Sequence, residues 1–174
     1  MGTAEASGAC RRIFIEKPGR VPLSLRLVVD FSHMNSCLIR AQLQVFPTGE
    51  EIRQQLGSEC NVWVTMDALA AYFQIYIAES DTHKTTIMLN QGRFYFRKTF
   101  MGNWLSSDSW LKASNEVIED LPRVFKLVDN RLIGGRDYKE LAERVGALLN
   151  RCRKAGMTLA SNKVQVGMKV SFVG

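Results

Sequence analysis

The chain has 174 residues, of which 46% are hydrophobic and 23% charged, which predicts one folded domain and argues against a disordered chain. Its 23 Lys and Arg residues outnumber 17 Asp and Glu residues, so the formal net charge is +6. This balance favours a nucleic-acid partner, although basic enzymes without one also exist. No apolar run approaches the ~20 residues that cross a membrane, so no membrane partner is expected.

Cysteine and histidine usage limits the possible metal and redox chemistry. The four cysteines form no Cys-x-x-Cys pair and there are only two histidines, so neither a zinc site nor a disulfide framework is predicted. Reduced, mostly buried thiols in an intracellular protein are the better interpretation.

The N-terminal half is predicted to be rich in strands. Residues 1–10 are small and polar, lack the apolar core of a signal peptide, and are predicted to form a flexible leader. Thr48 and Glu51 have the spacing of a capping box and predict a helix that stops at Gly57. Alternating or β-branched runs predict strands at 12–15, 25–29, 62–66, 74–77, 85–89 and 93–97.

The C-terminal half shows two helical patterns separated by a hairpin. The first helix is predicted over 106–121, and the second begins at Asp137, where Glu140 again has the capping spacing, and ends at Gly156. Its apolar stripe is predicted to contain Tyr138, Leu141, Val145, Leu148, Leu149 and Cys152. Short strands are predicted around 157–159, 164–166 and 170–174.

Between the two helices, residues 125–135 read as strand, tight turn, strand. Asp129 and Asn130 are predicted to form the turn, and a carboxylate at a hairpin tip is a rigid place to hold a metal ion. The simpler alternative is that Asp and Asn occur there only because they favour turns. The whole order predicts an α+β fold, in which two amphipathic helices lie on one face of an antiparallel sheet.

A second carboxylate, Asp67, ends a hydrophobic strand just as Asp129 does. If the two strands are neighbours, both carboxylates reach the same edge and can bind Mg²⁺. Arg26 is a candidate triphosphate ligand, Tyr72 a candidate wall of a sugar pocket, and Lys163 a candidate general acid. Each has a simpler alternative: a cap before Ala68 for Asp67, an exposed strand cation for Arg26, a core aromatic for Tyr72 and a surface lysine for Lys163.

The ordered set of these motifs resembles the fingers and palm of reverse transcriptases encoded by gypsy-type long-terminal-repeat retrotransposons. The resemblance covers about residues 10–174. It rests on segments 25–31 with Asn35, 46–47, 64–67, 71–75, 84–85, 94–96, 100–102 and 127–130, followed by Gly156, Lys163 and 172–174.

This resemblance implies a function and a set of residue roles. It implies an RNA-directed DNA polymerase with a ferredoxin-like palm and a partial fingers subdomain over 11–174, truncated before the thumb, as part of a longer polyprotein or a truncated copy. The implied cofactor is Mg²⁺ or Mn²⁺, the implied partners are dNTPs and an RNA or DNA template–primer, and the implied location is the cytoplasm, with access to the nucleus. The implied site residues are Asp67 and Asp129 (metal), Asn130 (the position of the third acid), Lys163 (proton donor), Arg26 (triphosphate), Tyr72 (steric gate), Met101 and Gly102 (nucleotide pocket) and Phe172, Val173 and Gly174 (primer grip).

Several residues depart from the family's pattern and predict impaired activity. Asn130 stands where reverse transcriptases keep an acid, so metal binding weakens. Arg131 replaces an apolar residue and is expected either to lie uncompensated in the core or to pair with Asp67 or Asp129. Leu127 replaces a tyrosine, and residues 106–108 replace an Asn-Ala-Pro-like step.

Two alternatives to an active polymerase stay open at this point. One is a catalytically dead, retroelement-derived domain that binds nucleic acid or another protein. The other is an unrelated small α+β RNA-binding module, of which residues 92–96 are only a loose echo.

Overall fold

The computed structural model of the chain describes residues 12–16, 25–39, 48–56 and 59–172. Its strands are β1 (Arg12–Glu16), β2 (Leu25–Val29), β3 (Val62–Asp67), β4 (Ile87–Leu89), β5 (Gly92–Phe94), β6 (Val124–Leu127), β7 (Asn130–Gly135) and β8 (Gln165–Gly167). Its α-helices are α1 (Ser32–Cys37), α2 (Gly49–Leu56), α3 (Trp104–Ile118) and α4 (Tyr138–Lys154). Three 3₁₀ segments, Ala71–Gln74, Glu79–Thr85 and Ser161–Lys163, complete the order.

The centre of the fold is an antiparallel sheet of four strands in the order β6-β7-β3-β8. Val62, Val64 and Met66 of β3 alternate along the strand and enter one core with Ile133 of β7. Helices α3 and α4 cover that face, so the predicted α+β arrangement of two helices on one sheet face is confirmed. Asp67 and Thr65 alternate to the other face of β3.

Helix α4 contributes the largest apolar stripe to this core. Leu141, Leu148 and Cys152 are buried, and Val145 packs against them. The predictions for Tyr138 and Leu149 are wrong, because these side chains lie at the margins of the stripe and are 60% and 44% exposed. The helix begins at Asp137 as predicted, with its carboxylate accepting from the Glu140 backbone N–H at 2.8 Å. Glu140, however, accepts from the Arg136 N–H at 2.7 Å, which is one residue earlier than a capping box requires.

The predicted capping box at the start of α2 is present. The Glu51 carboxylate accepts from the Thr48 N–H at 2.7 Å, and the Thr48 hydroxyl accepts from the Glu51 N–H at 3.2 Å. Two orphan amides at the helix start are therefore satisfied reciprocally. The predicted stop at Gly57 lies outside the described residues.

The predicted strand at 74–77 is wrong. Gln74 ends a 3₁₀ segment, and the pairing that follows is a single bridge between Tyr76 and Lys98. The alternation of apolar and polar residues instead corresponds to alternating burial, since Ile75 and Ile77 pack against apolar clusters while Tyr76 is exposed. Likewise, 170–172 form no strand, whereas the hairpins β1–β2 and β4–β5 form where strands were predicted.

A second, aromatic core joins β2 and α1 to the β4–β5 region. Phe31, Phe96 and Phe100 contact one another with ring centroids 4.2 to 6.0 Å apart. Asn35 of α1 is buried beside them and donates to the Gly102 carbonyl at 2.7 Å, which fixes the loop before α3. None of the helices in the described ranges is long and apolar enough to cross a membrane.

Candidate active site

The β6–β7 hairpin turns one residue earlier than the sequence predicts. Val128 and Asp129 form its two-residue turn, while Asn130 is the first residue of β7 and pairs with Leu127. Val128 has φ +55° and Asp129 is not among the residues with positive φ, which is the pattern of a type II′ turn. The pairing of Ile133 with both Val124 and Val64 in the core sets this register, and it overrides the turn preference of Asn130.

The same register brings the two predicted metal-binding segments together. Asp67 is the direct cross-strand partner of Asn130, so their side chains lie on the same face, about 5 Å apart at Cβ. Ala68, the residue after Asp67, donates its N–H to the Asp129 carbonyl at 3.0 Å. Asp67 and Asp129 therefore flank one sheet edge, as predicted for neighbouring strands.

Lys163 reaches this edge from the short 3₁₀ segment Ser161–Lys163. The Ala160 N–H donates to the Asp67 carbonyl at 2.8 Å, which ties this segment to the end of β3. The Lys163 ammonium then lies 2.7 Å from Asp67 Oδ2. Lys163 is 60% exposed, so its ion pair with Asp67 is screened by solvent and easily opened.

A cavity of about 460 Å³ opens over the face of the sheet that carries Thr65 and Asp67. Its lining is mainly polar, and it includes the aromatic side chain of Phe172. The lining includes Asp67, Asn130, Asn162, Lys163, Gln165 and Phe172. The structure thus gathers Asp67, Asn130, Lys163 and Phe172 in one place, with Asp129 beside them in the turn, whereas Val173 and Gly174 lie outside the described residues.

Tyr72, Met101 and Gly102 are not among the residues that line this cavity. Tyr72 is half-buried against Ala68 and Trp110, and its hydroxyl is 3.4 Å from Ser107 Oγ. Met101 is exposed, and Gly102 has φ +93° in the loop before α3, where its carbonyl holds Asn35. Arg26 lies in β2 opposite Ile15, and its side chain is outside the described part of the structure.

Arg131 does not enter the cavity, because it is on the opposite face of β7 from Asn130. Its side chain is 0% exposed. One guanidinium nitrogen lies 3.4 Å from Met157 Sδ, the group lies 5.7 Å from the Trp110 ring centroid, and Nε and Nη1 have no hydrogen-bond partner among the described residues. The first of the two expectations for Arg131 is therefore observed, and the expected ion pair with Asp67 or Asp129 is not. Burial lowers the pKa of Arg131, while nearby Cys152 and Asp129 act in the other direction.

A second cation, Lys126, is buried directly opposite Arg131 in the β6–β7 ladder. Its ammonium donates to the Leu111 carbonyl at 3.1 Å and to Asn115 Oδ1 at 2.5 Å. Burial, and then the charge of Arg131, lower the pKa of Lys126 from 10.5 to about 8. Arg131 and Lys126 are therefore two buried cations on the face of the sheet opposite to Asp67 and Asn130. Sequence reasoning identified only Arg131.

The donor groups at this edge suit a hard divalent cation. Asp67 and Asp129 supply carboxylate oxygens and Asn130 a neutral amide oxygen, which are ligand types that Mg²⁺ accepts. Across the described residues, no three His, Cys, Asp or Glu side chains come together, so the site has two acids and not three. Two carboxylates and one amide would neutralise less of the charge of a bound cation than three carboxylates would.

The profile of the family described as reverse transcriptase (RNA-dependent DNA polymerase) matches residues 15–174. The chain belongs to the reverse transcriptase family. The retrovirus-related Pol polyprotein from transposon gypsy of Drosophila melanogaster is 26% identical over 142 residues, which are 80% of this chain and 14% of that polyprotein. The resemblance to gypsy-type reverse transcriptases is confirmed.

Solved structures show the same fold. The native prototype foamy virus protease–reverse transcriptase superposes with a TM-score of 0.78 at 16% identity, over 91% of this chain and 21% of that one. The foamy viral protease–reverse transcriptase in complex with an RNA/DNA hybrid gives a TM-score of 0.80 at 17% identity, over 95% of this chain and 22% of that one. This reverse transcriptase domain thus spans between about a seventh and about a fifth of the length of these relatives.

Sequence reasoning missed the residues that support the site from within. Lys126 and Trp110 follow ordinary strand and helix patterns, and no motif distinguishes them. The alternation of β6 places Lys126 on the same face as buried Val124, which is a signal that could have identified it. Gln165 enters the cavity only because β8 pairs with β3, opposite Thr65.

Proposed function

We propose that this domain is the fingers and palm of an RNA-directed DNA polymerase that transfers nucleotides from dNTPs to a primer. The observation that carries the proposal is the meeting of Asp67, the Asp129–Asn130 segment and Lys163 at one sheet edge, over an open polar cavity. Asp67 and Asp129 would hold two Mg²⁺ or Mn²⁺ ions, in keeping with the general use of divalent metals by reverse transcriptases. Bound there, the ions would stabilise the attacking and leaving oxygens of an in-line displacement.

Lys163 has a separate role in this proposal. In the reaction, the primer 3′-hydroxyl loses its proton to water and its oxygen bonds to the α-phosphorus, while the bond from that phosphorus to the pyrophosphate oxygen breaks. Lys163 would give a proton to the leaving pyrophosphate, and the position of its ammonium beside Asp67 supports this role. Moving Lys163 from Asp67 toward a substrate costs about 1 kcal/mol or less, since exposed ion pairs are weak.

The flanking residues complete the nucleotide and primer sites in this proposal. Arg26 would bind the triphosphate, Tyr72 would exclude a ribose 2′-hydroxyl, and Met101 and Gly102 would line the nucleotide pocket. Phe172, which lines the cavity, would begin the primer grip together with Val173 and Gly174. Tyr72 lies behind Ala68, one residue from Asp67, which is compatible with a wall of the nucleotide pocket.

We further propose that catalysis by this chain is impaired by Asn130 and Arg131. Asn130 removes one negative charge directly opposite Asp67, so a divalent cation is bound less tightly. Arg131 acts from behind the sheet, where its buried charge attracts Asp129 without an ion pair. Both changes lower the negative potential available to the metal ions.

A catalytically dead domain that binds nucleic acid or another protein is the alternative. It is favoured by the Lys163–Asp67 ion pair, which offsets the charge of one of the two acids, and by the net charge of +6. In that case template binding persists and nucleotide transfer does not.

The test is primer extension by a chimera in which residues 11–174 replace the matching segment of a gypsy-type Pol polyprotein, so that the rest of the enzyme is present. We expect weak extension with Mg²⁺ or Mn²⁺, and a gain of about tenfold or more for Asn130→Asp with Arg131→Leu, since about 1.4 kcal/mol suffices for a factor of ten. Asp67→Asn is the inactive control.

Each other result has a definite meaning. Strong extension by the unaltered segment refutes impairment. No gain in the double variant shows that Asn130 and Arg131 do not limit activity. Retained template binding with no extension in any variant supports the alternative.

A further inference from the structure

Trp110 of α3 satisfies its buried indole N–H on the backbone of the β6–β7 turn. Its side chain is buried, and the indole Nε1–H donates to the Val128 carbonyl at 3.1 Å. Val128 is the residue immediately before Asp129. A core position in α3 is thereby linked to the backbone of the turn that carries a predicted metal ligand.

Val128 is held in a conformation that valine avoids. Its φ of +55° lies in the left-handed region, where the branched Cβ crowds the backbone. Its side chain is partly exposed, so packing of the valine itself contributes little to hold it there. The Trp110 hydrogen bond holds the carbonyl of this residue from the core side.

The residue that follows β3 also makes a hydrogen bond to this turn. The Ala68 N–H donates to the Asp129 carbonyl at 3.0 Å, and Ala68 packs in the same apolar cluster as Trp110. Trp110 therefore donates to the residue before Asp129 and belongs to the same apolar cluster as the residue after Asp67.

We propose that Trp110 is a positioning residue that sets the relation of the Asp67 and Asp129 carboxylates by holding Val128 in its left-handed conformation. The inference rests on the proposed function, because its consequence is the affinity of the metal site. Its physical basis, the strained turn, can be measured independently of catalysis.

The test uses Trp110→Phe, which keeps an aromatic ring beside Arg131 but removes the N–H donor. Mn²⁺ binding to the 174-residue chain is measured by electron paramagnetic resonance of the free ion, and turn order by NMR hydrogen exchange of the Ala68 amide. A net hydrogen-bond contribution of ordinary size predicts Mn²⁺ affinity about three- to tenfold weaker and Ala68 exchange about three- to tenfold faster. Leu148→Val, in the core of α4, is the control that lowers stability but leaves both values within about twofold.

A second variant separates positioning from general packing. Val128→Gly adopts positive φ without steric cost. In that background, Trp110→Phe is expected to change both readouts by less than about twofold. An undiminished effect in that background, or no effect of Trp110→Phe in the native one, overturns the inference. If the unaltered chain binds no Mn²⁺, the metal site of the proposed function fails, and Ala68 exchange alone decides the role of Trp110.

Discussion

Replacing Arg131 by leucine is expected to stabilise this domain, although most core substitutions destabilise a protein. Arg131 is fully buried, two of its three guanidinium nitrogens have no partner among the described residues, and it faces the buried ammonium of Lys126. A buried cation without a carboxylate keeps most of its desolvation cost.

The size of the gain follows from opposing contributions. Exchange of buried charges for apolar side chains stabilises proteins by about 1–4 kcal/mol in favourable cases. Loss of the contact with the Trp110 ring subtracts about 0.5–2 kcal/mol. We therefore expect a net gain of about 1–2 kcal/mol, which raises Tm by about 2–8 °C for a domain of this size.

The assay is thermal unfolding at pH 7, followed by circular dichroism and calorimetry. Arg131→Met is the second variant, because methionine matches the length of arginine and fills irregular space. Arg153→Leu is the matched control, since Arg153 is exposed on α4 and its replacement is expected to change stability by no more than about 0.5 kcal/mol. A Tm lowered by several degrees in both Arg131 variants would refute the reasoning and show that the guanidinium makes a net favourable contribution.

The other predictions concern the partner cation and the glycines of the core. The folded state releases the Lys126 proton near pH 8 and the unfolded state near pH 10.5, so the unfolding free energy should rise by up to about 3 kcal/mol across that window. Urea titrations at several pH values should show this rise, reduced above pH 9 by the raised pKa of Cys152, and Lys126→Met should remove it. Gly135→Ala should cost about 1–3 kcal/mol in the same assay, because its Cβ would lie 2.8 Å from the Leu141 backbone nitrogen. Gly146→Ala, with open space in mid-helix, should instead stabilise by about 0.5–1 kcal/mol, and a similar loss in both variants would contradict the steric argument.

The sequence correctly predicted the features that depend on hydrogen bonds between residues close together in the chain. The capping box of Thr48 and Glu51 and the cap at Asp137 are present because short-range hydrogen bonds decide helix starts. The strand predicted at 74–77 failed because a strand needs a partner along its length, and the surrounding 3₁₀ segments leave a single bridge. The prediction of mostly buried thiols also depends on tertiary packing. Cys152 is buried as expected, but Cys37 is exposed.

The candidate site was predictable as a set of residues, but its arrangement was not. The order of Asp67, Asp129 and Lys163 indicated the family, and the structure places them at one edge. The one-residue shift of the hairpin turn could not be read from residues 125–135 alone, because the pairing of Ile133 with Val64 determines it.

The sequence by itself therefore determined the family, the α+β class and the candidate metal-binding acids, since these depend on residue types in a fixed order. Only the tertiary structure decided on which side of the sheet each charge lies. Successive residues of a strand point to opposite faces, so the register that places Asn130 beside Asp67 also turns Arg131 into the core opposite Lys126.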